Sequence, residues 1–289
     1  MQLQYQLETI ANYHCEIGEN PLWDEAQQLL YWTDILRGRL FRYRPMTGQH
    51  EQFYQGEPVS GFTLQADGSL LLFGENTYFQ LMSDGTIEEI ESCIDPRMKA
   101  FNDAIATPNG TVFVGSSAED TPDGGLFYLA LDGAFTLLFR GTTNSNGLGF
   151  SPDVETFYWT DSPGRTIYQF DYDLATDQLS HRREFIVTPE GDGVPDGLTV
   201  DRAGNIWSAR FGGGAVYVYS PAGELLDKIK LPVPQVSSVA FGGPDLDELY
   251  VTTSGGTDES TGPEGALFRI RGLARGRPEF RSRIKLEMD

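Results

Sequence analysis

Four short segments of this chain carry oxygen-bearing side chains at matching positions. They contain Glu19, the pair Asn102 and Asp103, Asn146, and Asp196. Carboxylate and carboxamide oxygens are the ligands that hard divalent cations such as Ca²⁺, Mg²⁺ and Mn²⁺ prefer. Because the set contains no His or Cys, a zinc site of the usual nitrogen and sulfur kind is not expected. The residue types therefore indicate a divalent-metal site.

The spacing of these segments separates them from ordinary turns. Asn146-Gly147 and Asp196-Gly197 are dipeptides that commonly mark turns, so a purely structural role is the alternative. However, Glu19, Asn102, Asn146 and Asp196 each lie ten or eleven residues before a strand-like apolar phrase. Segments 60–62 and 236–239 precede the two remaining phrases and have small or apolar residues instead. The polar set is thus specific to four of the repeats.

The apolar phrases recur six times along the chain, at intervals of 40 to 49 residues. A period in this range is typical of the blades of a β-propeller. The phrases begin at Leu30, Leu70, Val112, Phe157, Ile206 and Leu249.

The surroundings of each phrase predict a meander of short strands. Turn signals such as Ala66-Asp67-Gly68 precede most copies, and alternating apolar runs such as 38–43 follow. We find no long stretch with apolar residues at helical spacing. A two-sheet sandwich would also contain many short strands, but near-equal repeats favour radial repetition. We therefore predict a single all-β domain over residues 1–289, a six-bladed β-propeller with four-stranded antiparallel blades.

A propeller explains how residues so far apart in sequence could share one site. Loops from every blade meet at the central channel, and equal offsets place side chains at the same height around its axis. Glu19, Asn102, Asn146 and Asp196 are therefore expected to converge at one mouth of the channel.

Composition limits the partners and the location. The formal charge is −21, which argues against nucleic acid or an anionic membrane because both attract cationic surfaces. The N-terminus has no basic and then apolar pattern, and no apolar run approaches the length of a membrane span, so a cytoplasmic location is expected. The two cysteines, Cys15 and Cys93, are too few for a disulfide framework.

Several motifs resemble the SMP-30/gluconolactonase family, which includes regucalcin and sugar lactonases. The resemblance runs from about Cys15 to Thr253 and rests on 18–24, 101–103, 146–153, 195–201 and 240–246. It implies a six-bladed propeller with one catalytic divalent metal, held by Glu19, Asn146 and Asp196. It also implies that Asn102 contacts the substrate or metal-bound water.

The chemistry that the resemblance implies is hydrolysis of a sugar lactone, such as glucono- or xylonolactone, by a metal-activated water. Asp196 would act both as a ligand and as the general base. Acidic residues that bind substrate hydroxyls would correspond to Glu119 and Asp120. Family members that act on sugar lactones commonly have Arg two residues before the motif Asn, where this chain has Ala100, so substrate preference can differ.

Three function classes remain open at this point. They are a metal-dependent aldonolactonase, a related esterase or phosphoesterase on the same metal site, and a non-catalytic calcium-binding regulatory propeller. A Ser-His-Asp triad has little support because no His lies in a matching motif. The metal could be Ca²⁺, Mg²⁺, Mn²⁺, Zn²⁺ or Fe²⁺. The expected partner is a small sugar lactone, and the expected state is a monomer or weak dimer.

Overall fold

The computed structural model describes residues 5–92 and 94–285, which form six four-stranded antiparallel sheets. The first strand along the chain, β1 (Gln6–Asn12), belongs to the last sheet. Blade one consists of β2 (Gly18–Asp24), β3 (Leu29–Asp34), β4 (Arg39–Arg44) and β5 (Gln49–Gln55). Blade two consists of β6 (Gly61–Leu64), β7 (Leu70–Phe73), β8 (Thr77–Leu81) and β9 (Ile87–Ser92). Blade three consists of β10 (Ala100–Ala106), β11 (Val112–Ser117), β12 (Gly124–Leu129) and β13 (Phe135–Thr142).

The second half of the chain continues the same pattern. Blade four consists of β14 (Ser145–Phe150), β15 (Thr156–Asp161), β16 (Thr166–Asp173) and β17 (Gln178–Val187). Blade five consists of β18 (Val194–Val200), β19 (Ile206–Phe211), β20 (Ala215–Tyr219) and β21 (Leu225–Lys230). Blade six consists of β22 (Val236–Gly242), β23 (Glu248–Thr253), β24 (Ala266–Arg271) and β1. The predicted six-bladed propeller of four-stranded blades is confirmed.

The recurring apolar phrases are the second strands of the blades. Both faces of such a strand are buried, because each blade packs between two neighbours. In β3, for example, Leu30 packs into the core between blades six and one, whereas Tyr31 packs into the core between blades one and two. This two-sided burial explains why the phrases are continuously apolar.

The ring closes through the N-terminal strand, which the sequence pattern did not assign to a blade. Strand β1 pairs antiparallel with β24, from Gln6 opposite Arg271 to Asn12 opposite Ala266. The Arg269 guanidinium on β24 lies 2.7 Å from the Glu8 carboxylate on β1 and 3.4 Å from the Glu248 carboxylate on β23. Blade six is therefore assembled from both ends of the chain.

The first strand of each blade lines the central channel, and each contacts the first strand of the next blade around the ring. The segment after β24 crosses one end of this channel. Its backbone hydrogen-bonds three different blades, from Gly276 N to Leu246 O at 2.7 Å, Ser282 N to Leu64 O at 2.8 Å, and Lys285 N to Leu131 O at 2.7 Å. We call this segment, residues 272–285, the C-terminal strap. No helix in the described part of the chain is long and apolar enough to span a membrane.

Candidate functional site

The predicted site residues lie near the beginnings of four channel-lining strands. Glu19 is on β2, Asn102 on β10, Asn146 on β14 and Asp196 on β18. The strap contacts the residues that follow the ends of such strands, for example Ser151 after β14. The four residues therefore lie at the end of the channel opposite the strap.

Each of these residues lies at an irregularity in strand pairing. The registers between the first and second strands shift between Glu19 and Leu22, Phe101 and Ala104, Asn146 and Leu148, and Pro195 and Leu198. The first strand of blade two keeps a regular register and has no polar member of the set. A bulge redirects a side chain locally, and bulges are frequent beside active sites. Here they accompany the polar side chains at the channel mouth.

The dipeptides Asn146-Gly147 and Asp196-Gly197 lie inside strands and do not form the turns considered as an alternative. A Cβ atom on Gly147 would lie 2.4 Å from the backbone oxygen of Asp196. One on Gly197 would lie 2.1 Å from the Ser238 hydroxyl oxygen. Glycine is needed at these positions because neighbouring inner strands approach too closely for a side chain.

Three carboxyl groups are buried together at this mouth: those of Glu19, Asp103 and Asp196, whose residues are 5%, 7% and 6% exposed. Burial raises the pKa of Glu19 well above its usual range, and the charges of Asp196 and Asp103 raise it further. Burial also raises the pKa of Asp196, with Asp103 as the next cause, and raises that of Asp103 to about 7. Without a cation, the site thus favours protonated carboxyl groups.

These residues fit a divalent cation by their donor chemistry. Glu19 and Asp196 supply carboxylates and Asn146 supplies a carboxamide oxygen, all hard ligands. Asp103 Oδ1 is buried without a hydrogen-bond partner. Among the described residues, no group of three or more His, Cys, Asp and Glu side chains is arranged to hold a metal ion. The predicted ligand set contains two carboxylates, Glu19 and Asp196, and the carboxamide of Asn146. The evidence that this set suits a divalent cation is therefore its oxygen donors and the repulsion between buried carboxylates, which a cation would offset.

Asn102 contacts the Asn146 side chain across the blade boundary. Its Nδ2 atom lies 2.6 Å from Asn146 Oδ1, 3.0 Å from Asn144 Oδ1 and 2.9 Å from the Ser145 backbone oxygen. An amide nitrogen has two protons for these three acceptors, so its bonds are shared among them. Asn102, predicted to contact substrate or metal-bound water, therefore lies against the Asn146 side chain, and Asn144 is a further neighbour that the sequence pattern did not single out.

Glu119 and Asp120 lie apart from the buried carboxyl groups, because both are exposed in the loop after β11. Glu119 Oε1 lies 3.5 Å from Lys99 Nζ, and 73% of its side chain is exposed. The loop is attached beside the site, since Ala118 N donates to Thr143 O at 3.0 Å. Any role of these two residues would therefore be at the rim.

Asp103 is a buried acidic residue, and Glu279 is a partly buried one that the sequence pattern did not single out. The sequence pattern includes Asp103 in the candidate set as the partner of Asn102 but assigns it no role of its own. Glu279 is on the strap and lines the same cavity of about 90 Å³ as Asp103. Burial raises the pKa of Glu279 to about 7, and the Arg277 charge opposes that rise. Nothing local in the sequence places Glu279 there.

Comparison with known proteins agrees with this fold. A family model described as the SMP-30/Gluconolactonase/LRE-like region matches residues 17–255. The chain belongs to this family. The family resemblance predicted from the sequence motifs is therefore confirmed. Some relatives align with this chain over nearly its full length.

Pentonolactonase XacC of Haloferax volcanii is 46% identical to this chain over 286 residues, which cover 96% of this chain and 98% of the relative. A solved structure of a luciferin-regenerating enzyme has a TM-score of 0.88 and 31% identity, covering 96% of this chain and 99% of the other. A regucalcin from Agrobacterium tumefaciens, described as a calcium-binding protein, has a TM-score of 0.87 and 26% identity, covering 96% and 97%. The two solved structures share the propeller fold over nearly all of this chain.

Proposed function

We propose that this protein is a lactonase that hydrolyses sugar lactones to sugar acids with a divalent metal ion. The observation that supports this most directly is the buried oxygen-donor set of Glu19, Asn146 and Asp196 at one mouth of the channel. The 46% identity to a relative named as a pentonolactonase supports the reaction type. Aldonolactones are the proposed substrate class, and lactones of five-carbon sugar acids are among the first to test.

Glu19, Asn146 and Asp196 would hold the metal. When bound, the ion would polarise the lactone carbonyl and acidify water, as divalent ions do in hydrolases. Asp196 would also take the proton from the attacking water, as the general base. Asn102 orients the substrate or the water. The exposed Glu119 and Asp120 would contact substrate hydroxyls from the rim.

The two alternative functions make different demands on the same site. A metal-dependent esterase or phosphoesterase would use the same ligands on another substrate. A regulatory calcium-binding propeller is favoured by the likeness to the regucalcin described as calcium-binding. It would bind the cation without turnover. We further propose a monomer or weak dimer in the cytoplasm, without nucleic acid or membrane partners.

The deciding experiment measures acid release from glucono-, xylono-, arabinono- and galactonolactone. Metal-stripped protein is compared with protein to which Ca²⁺, Mg²⁺, Mn²⁺, Zn²⁺ or Fe²⁺ has been restored. Metal-dependent hydrolysis of any lactone would support the proposal and identify the ion. Tight metal binding with no hydrolysis across the panel would instead favour the esterase or regulatory alternative.

A site variant makes the same test specific. Asp196→Ala should abolish metal binding and turnover together. Asp177→Asn is a matched control, because Asp177 is equally buried but hydrogen-bonds Thr111 and Tyr128 away from the channel mouth. If Asp196→Ala kept near-normal affinity and rate, the proposed ligand set would be wrong.

Substrate preference can be tested at Ala100. This residue begins β10, opposite Ser117, and its side chain is half-buried. Ala100→Arg would add a donor for sugar hydroxyls or the ring ester. A large gain in kcat/KM on aldonolactones would show that Ala100 limits sugar recognition, whereas an unchanged profile would show that it does not.

A further inference from the structure

The Ser162 hydroxyl lies between blades four and five, directly behind the proposed metal ligands. It accepts a hydrogen bond from Asn146 Nδ2 at 2.9 Å and donates one to the Pro195 backbone oxygen at 2.6 Å. The residue is 6% exposed, so water does not readily replace these bonds. A hydroxyl can accept and donate at once, which this position requires.

The orientation of the Asn146 carboxamide is determined from both ends. Its Oδ1 accepts a hydrogen bond from Asn102 Nδ2 at 2.6 Å, and its Nδ2 donates to Ser162. A flipped amide would bring two donors together at Asn102. The Oδ1 atom has two lone pairs, so one remains available after the bond from Asn102. The arrangement therefore presents oxygen, the atom that binds a hard cation, to the site.

Ser162 also couples the two blades that supply the ligands. Pro195, whose backbone oxygen accepts the hydrogen bond from Ser162, directly precedes Asp196 on β18. The chain of bonds thus runs from Asn102 through Asn146 and Ser162 to the backbone beside Asp196.

We propose that Ser162 is a positioning residue that orients the Asn146 carboxamide for metal binding and sets its distance from Asp196. The metal-binding part of this inference rests on the proposed function, whereas the orientation of Asn146 does not. Residues behind metal ligands typically change metal affinity when they are replaced, because they fix the orientation of the ligand.

The test measures Mn²⁺ affinity by titration of metal-stripped protein. Ser162→Ala should weaken Mn²⁺ binding by about 10- to 100-fold, the usual effect of losing such a partner. Ser162→Thr keeps the hydroxyl and should restore most of the affinity. Ser282→Ala is the matched control, because Ser282 is fully buried and hydrogen-bonds Thr63 and Leu64 at the strap end of the channel. It should lower Tm without changing Mn²⁺ affinity.

A second readout needs no metal. Hydrogen exchange of the Asn146 side-chain NH₂ group, followed by NMR in metal-free protein, should become faster in Ser162→Ala and stay unchanged in Ser282→Ala. If Ser162→Ala changed Tm but neither the exchange nor the affinity, its role would be packing alone and the proposal would be overturned. A threonine variant as weak as the alanine variant would also overturn it.

The two proposals can fail separately. If wild-type protein bound none of the ions and yet Ser162→Ala accelerated exchange at Asn146, the orienting role would stand and the metal-dependent lactonase would be rejected. If wild-type protein bound Mn²⁺ and hydrolysed lactones, but Ser162→Ala matched it in both readouts, only the role of Ser162 would be rejected.

Discussion

Asn102 Nδ2 lies 2.6 Å from Asn146 Oδ1, although the two residues are 44 positions apart and belong to different blades. This bond joins the residue proposed to contact substrate to a proposed metal ligand. It also satisfies one lone pair of a buried oxygen. We therefore expect replacement of Asn102 to affect both stability and turnover.

We expect Asn102→Ala to lower kcat/KM at least about tenfold, because Asn146 loses a partner that orients it. The free energy of unfolding should fall by about 1–3 kcal/mol, the usual cost of an unsatisfied buried acceptor. Asn109→Ala is the control, since the Asn109 amide bonds Leu174 O and Asp177 away from the site. Lactonase assays and urea unfolding measure the two effects. Equal loss of kcat/KM in both variants would contradict the prediction.

Gly147 should tolerate no side chain. In Gly147→Ala the new Cβ would lie 2.4 Å from the Asp196 backbone oxygen and 2.5 Å from Thr160 Oγ1, so the inner strands of blades four and five must separate. We expect a loss of about 1–3 kcal/mol in the free energy of unfolding, as for overpacking elsewhere, together with weaker metal binding. Gly149→Ala meets only the movable side chains of Leu198 and Val200 and should cost less. Urea unfolding and Mn²⁺ titration of both variants measure these effects, and a larger loss in Gly149→Ala than in Gly147→Ala would contradict the prediction.

Glu279 should make the stability of the protein depend on pH. Its folded-state pKa is raised to about 7, whereas an unfolded Glu titrates near about 4.3. Between these two pKa values the folded protein therefore binds more protons than the unfolded protein. The resulting contribution of Glu279 to the free energy of unfolding is fully present below the lower pKa and is lost as pH rises toward 7.

The measurement is Tm across pH 4 to 8 for wild type and Glu279→Gln. The Tm of the variant relative to that of wild type should rise as pH increases from 4 toward 7. Glu224→Gln, at an exposed position, should show no such trend. A flat difference for Glu279→Gln would show that its carboxyl group titrates normally.

The stability of blade six should depend more on the buried Arg269–Glu248 ion pair than on the more exposed Arg269–Glu8 ion pair. The side chains of Arg269 and Glu248 are 7% and 9% exposed, whereas that of Glu8 is 55% exposed. Arg269→Met should lower the free energy of unfolding by about 3 kcal/mol, because it leaves a buried carboxylate with fewer partners. Glu8→Gln should cost less than about 1 kcal/mol, as exposed ion pairs do. Urea unfolding of both variants would contradict the prediction if Glu8→Gln were the more destabilising.

Much of the architecture could be predicted from the sequence because propeller blades repeat. The apolar phrases beginning at Leu30 and Phe157 predicted strands, and the structure contains them within β3 and β15, where both faces are buried. Glu19, Asn146 and Asp196 each lie ten or eleven residues before an apolar phrase, and these similar offsets predicted that the three residues would share one channel mouth. Equivalent positions of a repeat occupy equivalent places in successive blades, so local spacing alone predicts which residues lie at the same channel mouth.

The sequence could not predict relationships that depend on contacts between distant segments. Pairing of β1 with β24 and the course of the strap across the channel arise only when the ring closes. Their residues follow no part of the repeat.

The chemistry of the site divides in the same way. The sequence by itself determined the blades, the inner-strand positions and the oxygen-rich donor set, because these follow from periodicity and residue type. Only the tertiary structure decided that Asp103 is buried with Glu19 and Asp196, that Ser162 lies behind Asn146, and that Glu119 stays at the rim. Burial and hydrogen-bond partners are set by neighbouring blades, which bring together residues that no local pattern relates.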